Sequence, residues 1–162
     1  MKKFLALAIT LMLPLSLAAY GSNNKVTTNS TSPELRTETF PKQANSMKIR
    51  LRVGDTVLTA TLIDSATTRD FMSLLPLTLT LRDYAGTEKI SDLPKRLSTE
   101  NAPSGSDPSV GDIAYYAPWG NLAIFYRDFG YSSGLVILGK MDSGIEAFNV
   151  PGSVKVTVEL VK

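Results

Sequence analysis

Apolar and polar residues alternate through most of the chain after residue 46. In Met47–Val53, Met47, Ile49, Leu51 and Val53 alternate with Lys48, Arg50 and Arg52. A period of two with one greasy face predicts a strand buried on one side. Gly54-Asp55 predicts a turn, and Thr56–Ile63, rich in β-branched residues, predicts the second arm of a hairpin. The period then changes. Phe71, Leu74 and Leu75 recur at helical spacing, so Ala66–Leu75 reads as a helix, capped by Asp64 or Ser65 and stopped before Pro76. Leu77–Arg82 returns to alternation, and Asp83–Gly86 reads as a turn.

Residues 87–110 carry Pro94, Pro103 and Pro108 and read as one long loop. Ile113–Tyr116 and Asn121–Tyr126 predict two strands around the turn Ala117–Gly120. A second loop spans Arg127–Gly134, followed by an apolar strand Leu135–Met141 and room for one or two helical turns in Asp142–Phe148. Ser153–Val161 alternates again and closes the chain. Seven or eight short strands with one clear helix favour a mainly β fold, a closed β-barrel, because closure removes exposed edges.

The first 46 residues follow other rules. Lys2 and Lys3 precede the uncharged run Phe4–Leu13, and Leu17-Ala18-Ala19 offers small residues for cleavage. That order of charge, apolar run and small exit is the pattern of an export signal over residues 1–19. The run is too short to span a bilayer, which needs ~20 apolar residues, so no integral membrane span is expected in the mature chain. The segment resembles a bacterial lipoprotein signal, with Tyr20 standing where the lipidated cysteine belongs. A periplasmic or secreted location without a lipid follows as an expectation. Residues 20–46, rich in Ser, Thr and Asn, predict a disordered polar tether, leaving residues 47–162 as the folded domain.

The whole chain has 17 basic and 15 acidic residues, a formal charge of +2. Removing Lys2 and Lys3 with the signal leaves 15 against 15, so the basic excess belongs to the signal. Nucleic-acid binding therefore loses its electrostatic footprint. There is no Cys and no His. Disulfides, Cys/His metal sites, thiol nucleophiles and histidine acid–base chemistry are thereby excluded. No phosphate-cradling glycine loop, calcium-loop pattern or other cofactor motif is present. Asp55, Asp64, Asp83, Asp107 and Asp112 all fall at turns, where Asp caps the backbone.

Two segments carry a family resemblance. Leu138-Gly139-Lys140-Met141-Asp142-Ser143-Gly144-Ile145 resembles the cyclophilin run Phe-Gly-Lys-Val-x-x-Gly-Met. Gly111–Tyr116 followed by Trp119–Phe125 resembles the preceding cyclophilin hairpin. With Leu75-Pro76-Leu77-Thr78-Leu79-Thr80, the ordered set is similar to that of the short bacterial cyclophilin-like proteins, over residues 47–162. The resemblance implies a cyclophilin-like closed β-barrel.

The prolyl isomerase chemistry of cyclophilins does not carry over residue by residue. The family's Phe-His-Arg strand is absent, and Arg82 is the nearest counterpart of its arginine. Anchored on Gly120, the family's glutamine falls at Leu122 and a pocket phenylalanine at Ile124. Anchored on Gly139, its histidine falls at Leu135. Among Tyr115, Tyr116, Trp119, Phe125 and Tyr126, alternate members should face opposite sides of a sheet, so half fill the core and half are free to line a pocket. The pocket candidates are thus Arg82, Tyr84, Tyr116, Trp119, Ile124 and Leu135. The expected function is a binding module for a peptide or small molecule. A degenerate prolyl isomerase centred on Arg82 is the alternative, and a small-molecule enzyme of another kind a third.

Overall fold

The computed structural model describes residues 47–161. The expected signal and tether lie outside the described residues. Ten strands form: β1 (Lys48–Val53), β2 (Thr56–Leu62), β3 (Leu77–Tyr84), β4 (Glu88–Asp92), β5 (Gly105–Ser106), β6 (Asp112–Tyr116), β7 (Asn121–Phe125), β8 (Ser132–Ser133), β9 (Leu135–Met141) and β10 (Val154–Leu160). Eight of them close into an antiparallel barrel in the order β1-β10-β3-β4-β7-β6-β9-β2, while β5 and β8 pair as a separate ribbon.

The alternating pattern decides what goes inside. Ile49 and Leu51 of β1, Leu79 and Leu81 of β3, and Val154, Val156 and Val158 of β10 are buried in one core with Tyr115, Leu122 and Leu138. Phe71, from the helix α1 (Ala66–Met72), and Phe148, after the 3₁₀ turn Ile145–Ala147, complete it. Ser65 caps α1, its hydroxyl accepting from Thr68 N at 3.1 Å. The helix ends at Met72, before the expected Leu75, because Leu74 and Leu75 make tighter turn bonds to Phe71 and Met72.

One segment differs in kind from its sequence reading. Residues 87–110 are not a single loop: β4 occupies Glu88–Asp92 and joins β3 to β7. The β3–β4 turn also sits later than Asp83–Gly86. Ala85 and Gly86 hold φ of 51° and 69°, the left-handed pair of a tight hairpin, and Asp83 stays in the strand. The sequence Glu-Lys-Ile-Ser-Asp hides β4 because two of its charged residues, Glu88 and Lys89, are buried. Lys89 Nζ lies in the end of the barrel, donating to the carbonyls of Val150 (2.6 Å) and Gly152 (2.7 Å) and pairing with Asp83 at 2.9 Å. Tyr126 donates to the same carboxylate at 2.6 Å. Burial, reinforced by that bond, pushes the Tyr126 hydroxyl up to about 12, while the Tyr126 and Lys89 donors hold Asp83 below the usual carboxylate range.

Gly139 marks a second irregularity. The β6–β9 register shifts between Ile113 and Ala114, which face Gly139 and Ile137. A Cβ at Gly139 would collide with the Thr61 carbonyl oxygen and Leu62 Cα, so only glycine lets β2 approach β9 at this bulge.

Candidate functional site

The strands that fill the barrel also present a second, outward apolar face. Ile90 of β4, Ala114 of β6, Ala123 and Phe125 of β7, and Leu135 of β9 pack together there, with Tyr116 and Ile137 against them. This face floors a cleft of about 160 Å³. Aromatic side chains wall it. Trp119, at the β6–β7 turn, meets Tyr84 and Tyr116 edge-on, each with ring centroids 5.4 Å apart. Phe129, from the loop after β7, contributes the remaining aromatic wall, and Ser132 of β8 adds a hydroxyl-bearing side chain to the lining. The Phe129 loop is pinned: its N–H donates to the Pro108 carbonyl, and Asp128 accepts from Val110 N at 2.8 Å. Trp119 is 52% exposed, Phe129 49% and Tyr84 42%, which leaves unsatisfied apolar surface at the mouth. Two other depressions are wider, at about 490 and 460 Å³, but neither has an aromatic wall.

Two further polar side chains line this apolar site. Glu88, 8% exposed, lines the cleft, and its Oε2 accepts from Thr87 Oγ1. Burial, reinforced by the nearby Asp83 charge, raises its carboxyl above the ordinary range against the opposing pull of the Thr87 bond. Asn121, 1% exposed, also lines the cleft, and its Oδ1 has no hydrogen-bond partner. Only one other buried side-chain atom among the described residues, Thr67 Oγ1, shares that condition.

Of the residues singled out from sequence, Tyr84, Tyr116, Trp119 and Leu135 come together in the cleft. Ile124 does not: it is fully enclosed in the barrel. Aligning from Gly120 onto Leu122 and Ile124 selects the inward positions of β7, whereas Asn121, Ala123 and Phe125 face the cleft. A one-residue slip exchanges the two faces of a strand. Arg82 is exposed on β3 opposite Ile90 and does not line the cleft. Glu88, Ile90, Asn121, Ala123 and Phe129 were not among the pocket candidates. Glu88 and Ile90 fell in a segment that reads as loop, and Asn121 follows a turn, where Asn is ordinarily a turn residue. Phe129, a large aromatic before Gly130 and outside any strand pattern, is a usable signal.

Among the described residues there is no group of three Asp or Glu placed to hold a metal, and no helix long and apolar enough to cross a membrane. The model of the cyclophilin-like family matches residues 51–159. Among solved structures, a hypothetical protein from Archaeoglobus fulgidus is similar in fold, with 17% identity and a TM-score of 0.52 over 75% of this chain and 100% of that one. A comparison with curated proteins finds no match.

Proposed function

The chain belongs to the cyclophilin-like family, and from that premise we propose that it is an exported binding module whose ligand, a peptide or small molecule, enters the aromatic cleft on the outer face of the barrel. The observation that carries this reading is the cleft itself: four aromatic side chains around an apolar floor, open at the mouth and built on rigid strands. Clefts of this make-up are where small ligands bind. Export rests on the order Lys2-Lys3, Phe4–Leu13, Leu17-Ala18-Ala19. Mass spectrometry of the exported protein should find an unlipidated N-terminus near residues 19–22, and a diacylated product would refute it.

A prolyl isomerase is the alternative, favoured by Arg82 lying on the same outward face, opposite Ile90. The two readings separate on one assay. Positioned donors each contribute ~3 kcal/mol to transition-state stabilisation, and the glutamine and histidine positions of a cyclophilin are lost here. A protease-coupled proline-peptide assay should therefore show turnover far below that of a cyclophilin. Robust turnover abolished by Arg82→Ala, with the fold intact, would replace the binding reading by the isomerase one.

A further inference from the structure

A carboxylate in an aromatic enclosure narrows the ligand chemistry. Glu88 brings a carboxylate into the cleft with Oε2 taken by Thr87 and Oε1 left over. A buried carboxylate with a free oxygen is costly unless something brings N–H groups and positive charge. Around it stand Trp119, Tyr84, Tyr116 and Phe129, and faces of such rings attract cations. At about 160 Å³ the cleft is below the usual range for drug-sized ligands and suits one side chain or small amine.

Resting on the reading of this cleft as a binding site, we propose that it takes a protonated primary amine on an apolar stem, with Glu88 as counter-ion and the aromatic walls around the stem and charge. An ammonium supplies a positive charge and three donors, one of which the free Glu88 oxygen can accept. The charges flanking the cleft are mixed. Asp92, opposite Asn121, adds a second carboxylate to the outward face. Arg82, opposite Ile90, is a cation on that face but stays outside the lining. An anionic ligand would instead have to displace or neutralise Glu88 in the cleft and reach outward for Arg82.

Trp119 is the chain's single tryptophan, so its fluorescence reports on the cleft alone. The full chain is titrated with butylammonium, butan-1-ol and butanoate, and with N-acetyl-lysine methylamide and its Nζ-acetylated form. Butylammonium and the lysine derivative should shift the fluorescence saturably, while butanol and the acetylated lysine should bind at least ~10-fold more weakly and butanoate not at all. The lysine derivative binding more tightly than butylammonium would identify a peptide side chain as the source. Equal affinities would identify a free amine. Glu88→Gln should lose at least ~10-fold in ammonium affinity and keep its affinity for butanol. Tyr84→Leu should weaken both, and Arg82→Ala should not weaken the ammonium.

Butanoate or butanol binding as tightly as butylammonium would overturn the proposal, as would unchanged ammonium affinity in folded Glu88→Gln. Should Glu88→Gln fail to fold, the isosteric series on the natural chain together with Tyr84→Leu decides the matter. A proline peptide that shifts Trp119 saturably while no ammonium does would end this inference and leave the binding-module reading standing. No response to any probe would end both.

Discussion

Replacing Lys89 with methionine keeps the length and apolar stem of the side chain and removes its charge and three donors. The side chain has no exposed surface, so no water takes the place of the lost ammonium. The carbonyls of Val150 and Gly152, which accept from Nζ at 2.6 and 2.7 Å, would be left without that donor, and Asp83 would lose its ion pair. Each orphaned buried acceptor costs about 1–3 kcal/mol, and breaking a fully buried pair 3–5 kcal/mol. Asp83 is 40% exposed and keeps its bond from Tyr126, so water and Tyr126 recover much of its share. The carbonyls then dominate, and a loss of about 3 kcal/mol is expected. For a domain of this size that lowers Tm by roughly 10–15 °C. Urea unfolding at pH 7 reads the loss directly, with Asp83→Asn as the control expected to cost about 1 kcal/mol. A Lys89→Met protein within about 0.5 kcal/mol of the natural one would refute the reasoning, because it would show that methionine packing offsets both carbonyls.

Three further outcomes follow from the same structure. Glu88 has its carboxyl raised by burial, so the folded state holds that proton more tightly than the unfolded chain; its contribution to stability is present at low pH and lost as pH rises through the raised value. Glu88→Gln should therefore raise Tm at pH 7 and leave it nearly unchanged at pH 4, and a lower Tm at pH 7 would contradict this. Asp142 behaves in the opposite sense: Lys48, Thr59 and Thr61 all donate to it and lower it to about 2, so its contribution is present above the ordinary carboxylate range near pH 4 and lost as pH falls toward 2. With Lys48 41% and Asp142 29% exposed, screening limits this to about 1 kcal/mol, and Asp142→Asn should lose that at pH 7 and flatten the acid limb measured by thermal melts. Gly139→Ala should cost about 1–3 kcal/mol by forcing β2 and β9 apart, and a neutral result in chemical denaturation would mean that the bulge relaxes freely.

How much of this was legible in the sequence depends on what was buried. Wherever the buried residues were apolar, as in Ile49-x-Leu51 or Val154-x-Val156-x-Val158, alternation located the strand to within a residue or two. It failed at Glu88–Asp92, where the interior residue is Lys89 and the outward neighbours include Glu88. Hydrophobic patterning cannot register a strand whose inward position is a cation satisfied by carbonyls 61 and 63 residues away. The same blind spot hid the polar half of the cleft, because Glu88 and Asn121 owe their character to burial that only the closed barrel creates. Most of the aromatic half was legible, since Tyr116 alternates with inward Tyr115 and Trp119 sits at the turn after Pro118, outside the core pattern. The motif match put Leu122 and Ile124 at pocket positions because it fixes residue types but not which face of the pleat they occupy, and the fold encloses both in the core.

The pair Glu88-Lys89 shows how this barrel separates stability from recognition. The two residues are adjacent, carry opposite charges and point to opposite faces of β4. Lys89 is enclosed by carbonyls and a carboxylate that the fold supplies, so its polarity is spent within the protein. Glu88 has one internal donor and otherwise faces an apolar, aromatic cleft, so its polarity is met only in part within the protein. The same division runs along β7, where Leu122 and Ile124 are fixed by the core while Asn121, Ala123 and Phe125 line the cleft. Changes at the outward positions therefore alter what the cleft recognises at little cost to the core, because a strand's two faces are packed against different partners. A barrel built this way can keep its fold while its outer face loses one chemistry and acquires another. That is the physical reason a cyclophilin-like core can carry an aromatic cleft with a buried carboxylate on its outer face.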